Sequence, residues 1–179
     1  MISDQSPEQS AMGQGTHSFA NVQLARYVTA MANRGTVFEL SVIDKVTDSQ
    51  GNLVEDYTPK ISSHINIQES TWNTVQNGMR RVIQYGSANK LFRELKVNVA
   101  GKTGTAQESK TRGNHAFFIS FAPFEAPQVA VTVNIPFGYS SSNAASVAKE
   151  IYKLYFGQVT LDDVLKSTAQ KSTDVRIGD

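Results

Sequence analysis

From Asn21 onward the apolar positions recur at helical spacing. Leu24, Ala25, Val28, Met31 and Ala32 share one face, and Gly35 stands where it can close the helix. Asn21 or Ser18 offers the cap. After Thr36 the period changes to short apolar stretches, Thr-Val-Phe-Glu-Leu (36–40) and Ser-Val-Ile-Asp-Lys-Val (41–46), broken before Val54 by Asp48, Ser49, Gln50 and Gly51. This predicts strand, turn and strand, a small hairpin at the surface. Trp72, Val75, Met79, Val82 and Ile83 then form the stripe of a second helix over 71–84, with Gly78 inside it and Gly86 just beyond.

Alternation returns at Leu95. Leu95, Val97 and Val99 face one way and Lys96, Asn98 and Ala100 the other, predicting a strand over 95–106 in which Lys102 lies opposite the valines. A polar loop, 107–114, leads to the buried strand Ala-Phe-Phe-Ile-Ser-Phe-Ala (116–122). Pro123 to Pro127 turns the chain, and Val129, Val131, Val133 and Ile135 alternate in a partner strand that Pro136 ends. Ser142 or Asn143 caps the last long helix, whose stripe is Ala144, Ala148, Ile151, Tyr152 and Tyr155, before Gly157. The expected division is a domain portion over 1–157 and a polar tail over 158–179, in which Leu161, Val164 and Leu165 supply one helical turn.

Composition narrows the function classes. Seventeen Lys and Arg balance sixteen Asp and Glu, so no strong field favours nucleic acid or an acidic membrane. The absence of cysteine excludes disulfides, thiolate zinc sites and a cysteine nucleophile. His17, His64 and His115 are too far apart for a local metal signature, and the reading implies no cofactor. No apolar run approaches the ~18 residues of a membrane span, and the first ten residues lack signal-peptide features.

Packing explains Val99-Ala100-Gly101-Lys102-Thr103-Gly104-Thr105-Ala106 least well. Lys102 can neutralise an anion, Thr103 and Thr105 can hydrogen-bond a carboxylate, and Gly104 leaves room for a ligand against the backbone. Against this stands the plain alternative of a strand end with a solvated lysine and glycine kinks. Trp72 is most simply core, Arg80 and Arg81 a solvated helix face, and Lys110 and Arg112 mobile loop charge.

Lys102-Thr103-Gly104-Thr105 resembles the third motif of penicillin-binding D,D-transpeptidases and serine β-lactamases, whose set is S-x-x-K, S-x-N and K-T-G. Other stretches fit in the same order: Met12-Gly13-Gln14-Gly15 with Val22-Gln23-Leu24-Ala25, and Gly78-Met79-Arg80-Arg81-Val82-Ile83 with Gly86-Ser87-Ala88. Asn114-His115-Ala116-Phe117-Phe118 through Phe121-Ala122-Pro123 follows them, and then the terminal helix. The resemblance spans roughly residues 11 to 157. Two departures are Ala20-Asn21, where the family has Thr-Pro, and Ser87, where threonine is commoner.

The resemblance implies an α/β fold of the α+β type, an antiparallel sheet flanked by helices. This chain would supply the Lys-Thr-Gly strand and the following hairpin of a five-stranded sheet. It implies acyl transfer on peptidoglycan stem peptides ending in D-Ala-D-Ala, through a serine acyl-enzyme that β-lactams mimic. Lys102 and Thr105 would be catalytic, and Lys102, Thr103, Gly104 and Thr105 would bind substrate. His115 would hydrogen-bond at its strand start.

The serine nucleophile should lie upstream of Lys-Thr-Gly in S-x-x-K. Ser87-Ala88-Asn89-Lys90 falls where the family has a helix end, and Ser141-Ser142-Asn143 follows Lys-Thr-Gly instead of preceding it. Neither serves. The expectation is the C-terminal part of a transpeptidase domain, whose partner is the N-terminal part and whose isolated form self-associates. The family works on the outer face of the cytoplasmic membrane behind an N-terminal anchor. Two rival readings are a non-catalytic β-lactam or cell-wall-peptide sensor and an interaction domain with a relic strand.

Overall fold

A computed structural model describes residues 19–107 and 111–172, with side chains to 166. The sheet at its centre is antiparallel, in the order β5-β6-β7, formed by Ala100–Ala106, His115–Ala122 and Val129–Ile135. Register runs from Ala100↔Phe121 to Ala106↔His115 on one side of β6, and from Ala116↔Ile135 to Ala122↔Val129 on the other. The β6–β7 hairpin therefore follows the pattern that Pro123 and Pro136 bracket. Helices cover both faces, as the α+β expectation requires.

Strand parity divides the core in two. Ala116, Phe118 and Ala122 of β6 pack with Val131 and Val133 of β7 and Val99 against Ala144, Ala145, Ala148 and Tyr152. Those four residues line the inner stripe of the C-terminal helix α4, Ser141–Tyr155. On the opposite face Ala100 and Phe121 meet Val28 and Met79, contributed by α1, Asn21–Ala32, and α2, Glu69–Gln84. Alanines on α4 let the helix lie close to the sheet. Ser120 and Tyr152 are the polar exception: the Tyr152 hydroxyl donates to Ser120 Oγ at 2.8 Å, and Ser120 Oγ donates to Val131 O at 3.3 Å, with both residues fully buried.

Gly35 closes α1 as expected, at φ 97°, with its N–H donating to Ala30 O. A Cβ there would lie 2.4 Å from Ile65 O and 3.0 Å from the Trp72 ring, so only glycine fits the crossing. Trp72 is core. Two caps differ from expectation. The N-cap of α1 is Ala20, not Asn21; among the described residues no side chain caps the first-turn N–H groups, and Gln23 Oε1 instead reaches back to accept from Ala20 N–H at 2.8 Å. Ser18 lies outside the described residues. For α4 the cap is Ser140, which accepts from Ser142 N, while Asn143 Nδ2 donates back to Gly138 O at 2.8 Å.

The region 36–64 is more elaborate than one hairpin. β1 (Thr36–Phe38) pairs with β4 (Ile61–His64), while β2 (Lys45–Thr47) pairs with β3 (Leu53–Asp56) farther out. The turn falls where expected: Asp48 accepts from Gln50 N and Asn52 N at 2.9 Å, and Gly51 takes φ 87°. The Val42-Ile43 run is not a strand, because Ser41 Oγ bonds Ile43 N and O and folds the chain on itself.

The tail also departs from expectation. Leu161–Ser172 forms a helix of three turns, α5, in place of one. Thr160 and Asp163 cap it reciprocally: Asp163 Oδ2 accepts from Thr160 Oγ1 at 2.6 Å and from Thr160 N at 3.0 Å, and Asp163 N donates to Thr160 Oγ1.

Candidate functional site

The strand carrying Lys102 begins at Ala100, not at Leu95. Leu95 and Val97 still pack inward and Val99 is fully buried, so the alternation is a true burial pattern. Its backbone, however, is held by other elements. Phe124 N donates to Asn98 O at 2.8 Å, and Asn98 Nδ2 donates to Glu125 Oε1 at 2.5 Å. From α2, Arg80 Nη1 donates to Val99 O at 3.0 Å and Nη2 to Asn98 Oδ1. Arg80 is thus a structural clamp and not a solvated face. Its partial burial lowers its pKa, with Glu125 and Tyr85 opposing the shift. The signal in the sequence was its place on the edge of the apolar stripe, one residue after Met79 and three before Ile83; Gln76, one turn earlier, is buried and donates to Met31 O at 2.7 Å.

Beyond that root, β5 is, among the described residues, an edge strand of the three-stranded sheet. Gly101 is buried and has a packing role: a Cβ there would meet Phe118 Cζ at 2.7 Å and both Ile119 O and Ser120 Cβ at 3.0 Å. Gly104 differs, for an added Cβ would approach only Phe117 Cβ, at 3.3 Å. Lys102 is exposed and shares a face with Gly104, opposite Thr103 and Thr105. Its Nζ donates to Thr103 O at 2.7 Å, which sets that carbonyl on the open side of the strand. A strand residue's own N–H and C=O point the same way, so by parity Thr103 and Thr105 offer their backbone groups to the open edge.

The four residues singled out from sequence therefore lie together along one unpaired edge. Ser87, set aside there, also reaches it: its Oγ is 3.3 Å from Thr103 Oγ1, and either hydroxyl can donate. It sits in the turn before α3, Asn89–Phe92. His115 holds the start of β6, and its Nδ1 accepts from Phe137 N at 3.4 Å. His64 Nδ1 is 3.3 Å from Thr36 Oγ1 in the separate β1–β4 ladder. The Gly13-Gln14-Gly15 turn, His17 and Lys110 lie outside the described residues. Among the described residues no group of three His, Asp or Glu is gathered for a metal, and no helix is long and apolar enough to cross a membrane.

This antiparallel sheet with helices on both faces and a Lys-Thr-Gly-Thr edge has the architecture of penicillin-binding protein transpeptidase domains. Residues 3–153 match the penicillin-binding protein transpeptidase domain, and the chain belongs to that family. Peptidoglycan D,D-transpeptidase MrdA of Haemophilus influenzae is 30% identical over 166 residues, covering 82% of this chain and 25% of MrdA. Penicillin-binding protein 2A of Bacillus subtilis is 28% identical over 176 residues, covering 88% of this chain and 24% of that protein. The chain thus spans about a quarter of the length of these curated relatives. Among solved structures, Pseudomonas aeruginosa PBP2 in complex with WCK 5153 superposes with a TM-score of 0.67 at 30% identity, covering 82% of this chain and 32% of that one. Penicillin-binding protein 2B of Streptococcus pneumoniae strain R6 shares the fold with a TM-score of 0.70 at 24% identity, covering 80% of this chain and 25% of that one.

Proposed function

We propose that this chain forms the Lys-Thr-Gly half of a serine D,D-transpeptidase that cross-links peptidoglycan stem peptides and is acylated by β-lactams. The observation that carries the reading is the open edge of β5, where a cation, two hydroxyls and a glycine follow one another along a backbone unpaired among the described residues. A stem peptide ending in D-Ala-D-Ala can pair along that edge as an added strand. Thr103 and Thr105 then donate to its terminal carboxylate, and the Lys102 ammonium compensates the negative charge. The Thr105 N–H forms half of an oxyanion hole, completed by the N–H of the nucleophile.

In this reading the serine of S-x-x-K and the S-x-N motif come from polypeptide outside residues 1–179, and S-x-x-K provides the attacking oxygen. The serine Oγ adds to the carbonyl of the penultimate D-Ala and gives up its proton to a base. That base returns the proton to the terminal D-Ala nitrogen as the C–N bond breaks and D-Ala leaves as the amine; a neighbouring stem-peptide amine later attacks the acyl carbon, and its proton passes through the base to the departing serine oxygen. That other half also covers the outer stripe of α4, where Val147, Ile151 and Leu154 are each about two-fifths exposed. Without it the isolated chain self-associates. The assembled protein acts on the outer face of the cytoplasmic membrane.

In the complete transpeptidase, Lys102→Ala should slow acylation by a fluorescent penicillin by about 10²-fold, the range for losing one preorganised electrostatic group. Unchanged acylation would remove Lys102 from the site. The isolated chain should form no covalent adduct, and an adduct on Ser87 would overturn the assignment of the nucleophile. Tight reversible binding by the complete protein, with no acylation, would instead identify a sensor.

A further inference from the structure

The turn joining α2 to α3 is held more firmly than a surface turn requires. A Cβ on Gly86 would lie 2.8 Å from Val82 O and 2.9 Å from Val82 Cα, so the chain passes tightly over the end of α2. The Gly86 N–H donates to Arg81 O at 3.0 Å, and Asn89 Nδ2 donates to the carbonyls of Gln84 and Ile83. Ala88 is fully buried in the main core. Between these fixed points stands exposed Ser87, whose only carbon beyond the backbone carries a hydroxyl to within 3.3 Å of Thr103 Oγ1.

We propose that Ser87 is a positioning residue that sets the direction in which the Thr103 hydroxyl donates. The inference rests on the reading of Thr103 as a carboxylate ligand. A hydroxyl has one proton and two lone pairs, whereas a carboxylate only accepts. Thr103 can bind a carboxylate only by spending its proton on it, and its own oxygen is then free to accept from a second donor. Ser87 O–H is that donor, giving the chain Ser87 O–H to Thr103 O–H to carboxylate. Each bond in such a chain polarises the next. The 3.3 Å spacing is loose for two hydroxyls, as is common in unliganded sites, and closes when a ligand draws the Thr103 proton. Firm anchoring of the turn has a purpose on this account: it keeps the donor on one side of Thr103 and the ligand on the other.

The test compares acylation of the complete transpeptidase by a penicillin with its free carboxylate and by the methyl ester of the same penicillin. Thr103→Val should narrow the acid-to-ester preference if Thr103 binds the carboxylate. Ser87→Ala should narrow the same preference by about five- to tenfold, the effect of one hydrogen bond feeding a charged acceptor, and Ser87→Thr should restore it. An unchanged preference in Ser87→Ala, with a narrowed one in Thr103→Val, would overturn the role of Ser87 alone. An unchanged preference in both would overturn the reading of Thr103. An equal fall in both rates on Ser87→Ala, with a lowered melting temperature, would assign Ser87 a merely structural role and refute the proposal.

Discussion

Ser120 and Tyr152 join the sheet to α4 through the only polar contact on the dry face of β6 that involves two fully buried side chains among the described residues. Ser120 also pairs with Gly101 at the start of the Lys-Thr-Gly strand, so this bond sits one strand behind the site. Removing the two partners has unequal consequences. Tyr152→Phe deletes a donor but leaves Ser120 bonded to Val131 O, and should cost about 1 kcal/mol. Ser120→Ala strands the tyrosine hydroxyl in the core and should cost about 2–3 kcal/mol, most of it desolvation without a partner. In the double variant no hydroxyl is stranded, so its loss should fall short of the sum by about 1 kcal/mol or more. Urea unfolding followed by circular dichroism reads all three, and 1 kcal/mol corresponds to about 2–4 °C in Tm for a domain of this size. Additive losses, or a Ser120→Ala variant no weaker than Tyr152→Phe, would show that the 2.8 Å bond carries no such weight.

The same burial pushes the Tyr152 phenol pKa up, opposed in part by the Ser120 bond. A folded-state pKa raised above its unfolded value of about 10 gives stability that is intact below that pH and is lost as pH rises past it, so alkaline unfolding should begin later in Tyr152→Phe. Gly101→Ala should destabilise by about 1–3 kcal/mol through the 2.7 Å clash with Phe118, whereas Gly104→Ala, with only a 3.3 Å approach to Phe117 Cβ, should destabilise less yet slow penicillin acylation. Arg80→Ala should raise amide hydrogen exchange across 98–101 and cost about 1–2 kcal/mol, as Val99 O and Asn98 lose a charged donor. Bonds from Thr160 hold the Asp163 carboxyl below the ordinary carboxylate pKa, so the contribution of this cap is present above the unfolded pKa and lost as pH falls through the folded one. Asp163→Ala should lower helicity in 161–172 at neutral pH and remove that acid dependence.

Elements whose pattern is set by their own neighbours were legible in the chain. The β6–β7 hairpin needs only an apolar run, an alternating partner and two prolines, and the inner stripe of α4 shows in Ala144, Ala148 and Tyr152, although Ile151 and Tyr155, expected on it, are exposed and Ala145 takes their place. Elements defined by distant partners were not. Val37 finds Ser63 instead of a nearby strand because Ser41 breaks the intervening run, and no local period announces Ile61–His64. Leu95 to Val99 alternates in burial without pairing, because Arg80 and the Phe124 backbone take its carbonyls. For the candidate site, Lys102 to Thr105 stood out by composition, since packing gives no reason for a cation, two hydroxyls and a glycine in immediate succession. Ser87 did not, because its meaning depends on Thr103, sixteen residues away in sequence.

Where the ligand carboxylate lies is measured directly by a crystal structure of the complete transpeptidase acylated by a penicillin. The carboxylate should be within hydrogen-bonding distance of the Thr103 and Thr105 hydroxyls, with Lys102 Nζ nearby and the acyl carbonyl oxygen on the Thr105 N–H. An acyl-enzyme whose carboxylate points away from β5, with Lys102 still folded onto Thr103 O, would contradict the assignment of this edge as the carboxylate site.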